Sequence, residues 1–365
     1  MALVDCGDGV RLERGVVCRM SDGVQLVSDH FYPPGEGPSP TLLMRRPYGR
    51  DIASTVVYAH PAWFARHGYH VVIQDVRGRG DSEGEFYPFR HERRDGAETI
   101  AWLRQCPQCN GRIGMYGFSY QGLTQLLAAV EQPEGLVCIA PGMTACDLYH
   151  GWFYRNGALR LSSTLAWGIQ LLRPDARRRG LTEAIAALEA AWNNVRVQAN
   201  FVPYREHPVL VLEGLPEYVR DWVTNDRPGQ YWEQLDISRD LDRIGIPALH
   251  VSGWFDTYLN GSVDGFLALR KSAATEFARK NQYLIVGPWV HIPWGDIIGG
   301  QNFGAEALLD TDTILLRWFN HWLKGSGEFA DEPTVRHFVL GENRWCAAGK
   351  WQEESTVDLY LHSKG

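Results

Sequence analysis

Gly114-Met115-Tyr116-Gly117-Phe118-Ser119-Tyr120-Gln121-Gly122 is the stretch on which the fold turns. Ahead of it, Arg112 to Tyr116 reads as a short buried strand. Behind it, Leu123 to Val130 reads as a helix of Leu and Ala. A serine on a sharp strand-to-helix turn is the nucleophile-elbow pattern. Such a turn strains the backbone and brings strand and helix close, so it requires small residues on both sides. Gly117 and Gly122 supply them. The helix N-terminus behind Ser119 also points backbone N–H groups at any oxyanion forming there. The usual five-residue form would carry glycine at 121. Here Gln121 holds that place and glycine follows one residue later.

Working outward, strands and helices alternate. Val16 to Met20 and Val24 to Phe31 read as a hairpin around Ser21-Asp22-Gly23. Thr41 to Met44 is a short apolar strand, Ala62 to His67 a helix, Tyr69 to Asp75 a buried strand, and Arg93 to Gln105 a helix. Gly135 to Ala140 is the strand after the elbow helix. Pro247 to Ser252 and Gln282 to Val286 continue the series, and Leu315 to Leu323 closes it as a helix. This alternation implies an α/β fold with a largely parallel sheet covered on both faces. Between about Asp147 and Asp240 the alternation stops, and the chain becomes helical, aromatic and Arg-rich, as an inserted cap would be. The expected organisation is a core from 1–146 and 241–330, a cap over 147–240, and the start of a C-terminal β domain over 331–365. The last expectation rests on two late strands, Val335 to Leu340 and Val357 to His362, with no helix between them: such a pair either docks on the main body or begins an all-β domain, and the second is the expectation.

Composition narrows the function. The chain has 365 residues, 45% hydrophobic and 22% charged, which is ordinary for a globular protein. Its net charge of −7 argues against nucleic acid as the main partner, because phosphate binding needs a basic face. No apolar run is long enough to span a bilayer, and the N-terminus carries no secretory pattern, so the default location is cytoplasmic. Seven cysteines in so large a chain do not make a disulfide framework, and Cys106-Pro107-Gln108-Cys109 reads as two reduced loop thiols. The histidines do not gather at metal spacing, so neither a metal nor a cofactor is expected. Gly78, Gly80 and Gly84 follow a strand, but their spacing misses the dinucleotide pattern by one residue, and a structural loop fits better.

In this fold class the elbow serine needs an acid and then a histidine later in the chain, each in a loop just after a strand. Ile246 to Ser252 is followed by Gly253-Trp254-Phe255-Asp256, and Tyr283 to Val286 by Gly287-Pro288-Trp289-Val290-His291. Asp256 and His291 stand at the expected places. The chemistry needs these types: serine is a weak nucleophile until imidazole takes its proton, and a carboxylate fixes the imidazole tautomer.

Arg46-Pro47-Tyr48-Gly49, Asp75 to Gly84, Gly117 to Gly122, Gly253 to Asp256 and Gly287 to His291 together resemble the cocaine esterase, X-prolyl dipeptidyl peptidase and α-amino acid ester hydrolase group of α/β hydrolases. In that group the elbow reads Gly, any residue, Ser, Tyr, any residue, Gly, which accommodates Gln121. The resemblance implies a serine hydrolase with a helical cap and a C-terminal jelly-roll domain, here apparently truncated, whose first strand would be Leu359 to Ser363. It also implies an oxyanion hole made by the Tyr48 hydroxyl and the backbone N–H of Tyr120. Among the cap aromatics Trp152, Phe153, Tyr154 and Trp167, together with Tyr258, it matches Phe153, Trp167 and Tyr258 to an aromatic acyl pocket. Such a pocket would favour bulky apolar acyl groups.

The expected activity is therefore cleavage of ester or amide bonds in a small ester, amide or short peptide through an acyl-serine, with no cofactor. Release of X-Pro dipeptides would need carboxylates to hold a free amino terminus, and Glu213, Glu217 and Asp221 in the cap are the candidates. The competing expectation is a non-catalytic scaffold or binding protein that keeps the fold without turnover.

Overall fold

The computed structural model describes residues 3–51 and 57–351. One eleven-stranded sheet carries the molecule. In chain order its strands are β1 (Val4–Asp5), β2 (Arg11–Arg19), β3 (Gln25–Tyr32), β4 (Ser39–Arg46), β5 (His70–Asp75), β6 (Cys109–Phe118), β7 (Leu136–Gly142), β8 (Ala248–Gly253), β9 (Gln282–Gly287), β10 (Val335–Val339) and β11 (Arg344–Ala348). They lie in the order β1-β2-β3-β5-β4-β6-β7-β8-β9-β10-β11. The run from β5 through β4 and β6 to β10 is parallel, and the strands outside it pair antiparallel.

The central strands are buried on both faces, as their continuous apolar runs require: every residue of β5 and of β8 is buried. Helices Pro61–Arg66 and Thr311–Phe319 pack on one face, and Glu92–Leu103, Tyr120–Val130 and Leu259–Ser272 on the other. The elbow helix, Tyr120–Val130, is buried along its whole length, and its buried Gln125 bonds to the backbone of Gly117 and Ala140 in the flanking strands. This is the α/β-hydrolase arrangement.

The segment after β7 departs from the alternation as expected. It holds a π-helical turn (Leu148–Phe153), a two-residue hairpin, and the helices Leu161–Arg178, Thr182–Asn193 and Tyr218–Thr224. These elements form the helical cap.

The far edge of the sheet corrects one expectation. Val335–Val339 docks on the main body: it pairs in parallel with β9, with Leu284 opposite Val335 and Val286 opposite His337. Arg344–Ala348 folds back on it as a hairpin. Val335 and Phe338 are fully buried there. Without β10 the backbone groups of β9 would be an open edge, so the pair closes what the parallel core leaves unpaired. The strand expected at Val357 to His362 and the overlapping one expected at Leu359 to Ser363 lie outside the described residues.

A chain of buried polar side chains crosses three adjacent strands. Ser28 Oγ meets His30 Nε2 at 2.9 Å, His30 Nδ1 meets His70 Nε2 at 2.9 Å, and His70 Nδ1 meets Thr41 Oγ1 at 3.2 Å. Burial drives the His30 pKa down to about 3 and also lowers that of His70, which in addition faces His30. Both imidazoles are therefore neutral when folded. The unfolded chain binds protons at these positions below about pH 6.5 while the folded chain does not, so stability falls as pH drops through that value. Each such histidine contributes up to ~1.4 kcal/mol per pH unit. The urea midpoint should fall between pH 7 and pH 5, and by less in His70→Gln. An equal fall in both proteins would refute this.

Candidate active site

Ser119 sits at the strand-to-helix corner with φ +61° and ψ −125°. That is a strained conformation for a residue with a side chain, and the surroundings enforce it. Its N–H donates to Gly142 O at 2.9 Å, and its C=O accepts from Gly122 and Leu123. The two glycines meet the close-approach requirement. A Cβ on Gly117 would lie 2.5 Å from Gln121 Cβ, and one on Gly122 would lie 2.7 Å from Gly142 O. The displaced second glycine thus belongs where helix and β7 touch.

Asp256 and His291 come together because the loops after β8 and β9 are stitched to one another. Trp254 N donates to Gly287 O at 2.8 Å, and Phe255 N donates to Trp289 O at 3.0 Å. Trp289 is fully buried and fills the gap between the loops. A Cβ on Gly253 or Gly287 would approach it to 2.3 Å. The result is a 2.8 Å hydrogen bond between His291 Nδ1 and Asp256 Oδ1, with the carboxylate fully buried and the imidazole about a third exposed. That bond leaves Nε2 as the ring nitrogen free for chemistry. The imidazole packs against Phe118, the residue before Ser119, with ring centroids 5.5 Å apart. Among the described residues no hydrogen bond joins Ser119 to His291; in free enzymes this contact commonly closes only with substrate.

Tyr48 lies in the loop after β4. Its oxygen accepts a 3.0 Å hydrogen bond from Trp167 Nε1, and burial raises its pKa, so the phenol keeps its proton. The loop is pinned two residues on. Arg50 grips Asp29 at 2.8 Å, Asp75 at 2.7 Å and Asp81 at 2.6 Å, which joins β3, the end of β5 and the glycine loop. The backbone N–H of Tyr120 belongs to the first turn of the elbow helix, where donors lack intrahelical acceptors. The Tyr120 side chain points away into the core. Its hydroxyl donates to Glu92 Oε1 at 2.8 Å, and Glu92 pairs with the fully buried Arg45 at 2.6 Å. Burial raises the Glu92 pKa against the opposing pull of Arg45. Sequence reading missed this ion pair beneath the elbow, because charged residues on a helix and a strand read as solvent-facing.

The aromatic candidates divide. Tyr258 lies edge-on to His291 at 5.1 Å and is stacked on Trp152 at 4.4 Å. Trp167 is bonded to Tyr48, and its ring lies 6.4 Å from that of Tyr120. Tyr258 thus meets the histidine, Trp167 meets Tyr48 and Tyr120, and Trp152 links the two at 4.4 and 5.6 Å. Phe153 stands one layer back in the cap core, 4.6 Å from Trp222 and 5.1 Å from Trp232, and supports Trp167 from behind at 6.0 Å. Tyr154 is stacked on Tyr149 and donates to Trp222 O, as a packing residue does. Arg160, which sequence reading did not single out, reaches from the cap onto the carbonyl of Thr257, next to Asp256.

The remaining candidates lie apart from these residues. Asp221 accepts from Tyr87 at 2.7 Å, and Glu213 and Glu217 are exposed beside a depression in the cap. None of the three bonds to Ser119, His291 or Tyr48 among the described residues. The glycine loop after β5 is occupied by its own ion pairs: a Cβ on Gly80 would lie 2.0 Å from Asp75 Oδ2, and Arg77 grips Asp95 at 2.7 Å. The Cys106 thiol is pushed up to about 11 by burial and by Cys109, which makes it unreactive. No helix among the described residues is long and apolar enough to cross a membrane.

The fold and its elbow define an α/β hydrolase. The model of the X-Pro dipeptidyl-peptidase (S15) family matches residues 22–293, and the chain belongs to that family. It is 33% identical over 367 residues to the cocaine esterase of Rhodococcus sp. (strain MB1 Bresler), a match covering 96% of this chain and 62% of the esterase. The chain thus spans less than two thirds of that relative's length. In structure it is similar to an aminopeptidase from a Thaumarchaeota archaeon (TM-score 0.73, 22% identity, 97% of this chain and 62% of that one). It is likewise similar to an α-amino acid ester hydrolase (TM-score 0.69, 23% identity, 96% and 60%). These likenesses establish the fold, and the family match establishes membership of the S15 family.

Proposed function

We propose that the chain is a serine esterase that turns over through an acyl-serine. The observation that carries this reading is the 2.8 Å Asp256–His291 bond beside a serine held at a strained elbow. Ser119 Oγ attacks the ester carbonyl while His291 Nε2 takes its proton, and Asp256 steadies the imidazolium. The carbonyl oxygen becomes an oxyanion held by the Tyr48 O–H and the Tyr120 N–H. His291 then returns its proton to the departing alkoxide, and the acyl group remains on Ser119. Water activated by the same imidazole releases the acid.

Two observations favour esters of apolar acids over X-Pro peptides. A continuous aromatic cluster, Tyr258, Trp152 and Trp167, runs from His291 to Tyr48. The acidic candidates for holding a free amino terminus are engaged or exposed elsewhere. A panel of aryl esters against Gly-Pro anilides tests the choice. Aryl benzoates should be turned over with the higher kcat/KM, and faster release of the anilide would reverse the assignment.

Tyr48→Phe isolates the oxyanion donor. It removes one oxygen and should lower kcat by roughly 10²–10³-fold with KM little changed, because the bond forms mainly in the transition state. A loss confined to KM would place Tyr48 in substrate packing instead.

A further inference from the structure

Trp167 stands on the cap helix Leu161–Arg178, yet among the described residues its side chain's one hydrogen bond goes to the core. An indole N–H is only a donor, so the Tyr48 oxygen must accept in the 3.0 Å contact. The phenol proton therefore cannot be spent on Trp167. Tyr48 makes no other hydrogen bond among the described residues, which leaves its O–H uncommitted. A phenol with one lone pair occupied and its proton free is a donor of defined direction. Accepting a hydrogen bond also polarises its O–H and strengthens what it donates.

The indole is held firmly enough to impose that direction. It is stacked on Trp222 with centroids 5.0 Å apart and planes within 3°, and Trp152 and Phe89 flank it at 5.6 and 5.9 Å. Its helix is fastened to the core on the same side. Arg79 grips Asp175 at 2.8 and 3.1 Å, and both side chains are buried. Tyr218 donates to the same carboxylate at 2.8 Å. Arg178 donates to Ser82 O at 2.8 Å and to Gly80 O at 3.1 Å.

We propose that Trp167 is a positioning residue of the oxyanion site: its N–H orients and polarises the Tyr48 hydroxyl, so that the cap completes a site whose other parts belong to the core. This rests on the reading of Tyr48 given above and goes beyond the role of Trp167 as an acyl-pocket wall. The bond gains strength as negative charge spreads from the oxyanion onto the phenol oxygen. Its effect therefore falls on the transition state more than on bound substrate.

Trp167→Phe removes the N–H and keeps an aromatic ring in the stack. The test uses Trp167→Phe, Tyr48→Phe and the double variant, on an aryl acetate and an aryl benzoate, with sites counted by fluorophosphonate titration. Trp167→Phe should lower kcat by about 10-fold on both esters at near-constant KM, the scale of one hydrogen bond. In the Tyr48→Phe background the same change should cost about 2-fold or less, because its route of action is gone. An equal loss in both backgrounds, or a rise in KM for benzoate with acetate turnover intact, overturns the proposal and leaves Trp167 a pocket wall. A Tyr48→Phe variant with full kcat overturns the oxyanion reading itself, and the proposal with it. Should Trp167→Phe fail to fold, Trp167→Leu carries the same comparison.

Discussion

Ser119→Ala is expected to lower kcat by about a million-fold, to abolish fluorophosphonate labelling and to leave the fold intact. Alanine deletes the oxygen that would form the acyl bond, so no acyl-enzyme can accumulate. The residual rate should be that of water attacking an ester bound beside the oxyanion donors. The fold should survive because the elbow depends on Gly117, Gly122 and the Ser119 N–H bond to Gly142, none of which involves the hydroxyl. The Ser119 side chain makes no hydrogen bond among the described residues, so its loss orphans nothing. Circular dichroism and the urea midpoint of Ser119→Ala should match those of the parent. An alanine variant that still labels, or still turns over at a tenth of the parental rate, would remove serine from the mechanism.

Asp256→Asn comes next, with kcat expected to fall by about 10⁴-fold. The carboxylate is fully buried and bonded to Nδ1, which fixes the tautomer that leaves Nε2 able to accept a proton. An amide in its place can donate to Nδ1. The ring then carries its proton on Nε2, where it can no longer serve as a base. It also loses the counter-charge for the imidazolium that forms during attack. KM for an aryl ester should change little, since Asp256 touches no substrate. A loss of less than about 10-fold would indicate that another carboxylate orients His291, or that the histidine is not the base.

Much of this was open to reading in the chain itself, and the reasons differ by residue. Ser119, Asp256 and His291 stood out because each follows a buried apolar strand and a glycine, and because their order is fixed by the topology of the sheet. The cap could be delimited because strand-helix alternation stops at Asp147. What escaped notice depended on pairing at a distance. Val335–Val339 looked like a foreign strand because no helix separates it from the next strand read in the sequence, yet helix Thr311–Phe319 before it supplies the crossover to its parallel partner β9, and the hairpin strand after it needs none. Arg45 and Glu92 are charged, and only the three-dimensional arrangement shows them facing one another under the elbow. Trp152, Phe153 and Trp167 all read as pocket aromatics. The layering that sets Phe153 behind Trp167 depends on Trp222 and Trp232, distant in the chain. The bond from Trp167 to Tyr48 joins residues 119 positions apart and leaves no trace in local pattern.

The fastening of the cap has a bearing on engineering. Trp167 bonds to Tyr48, Arg160 to the Thr257 carbonyl, and Asp175 to Arg79, so three anchors run from the inserted segment to separate loops of the scaffold. A chimera that transplants only this segment from a relative would arrive with its lining but without matched anchorage. It should forfeit rate together with selectivity unless the receiving residues at 48 and 79, and the loop that presents the carbonyl of 257, travel with it.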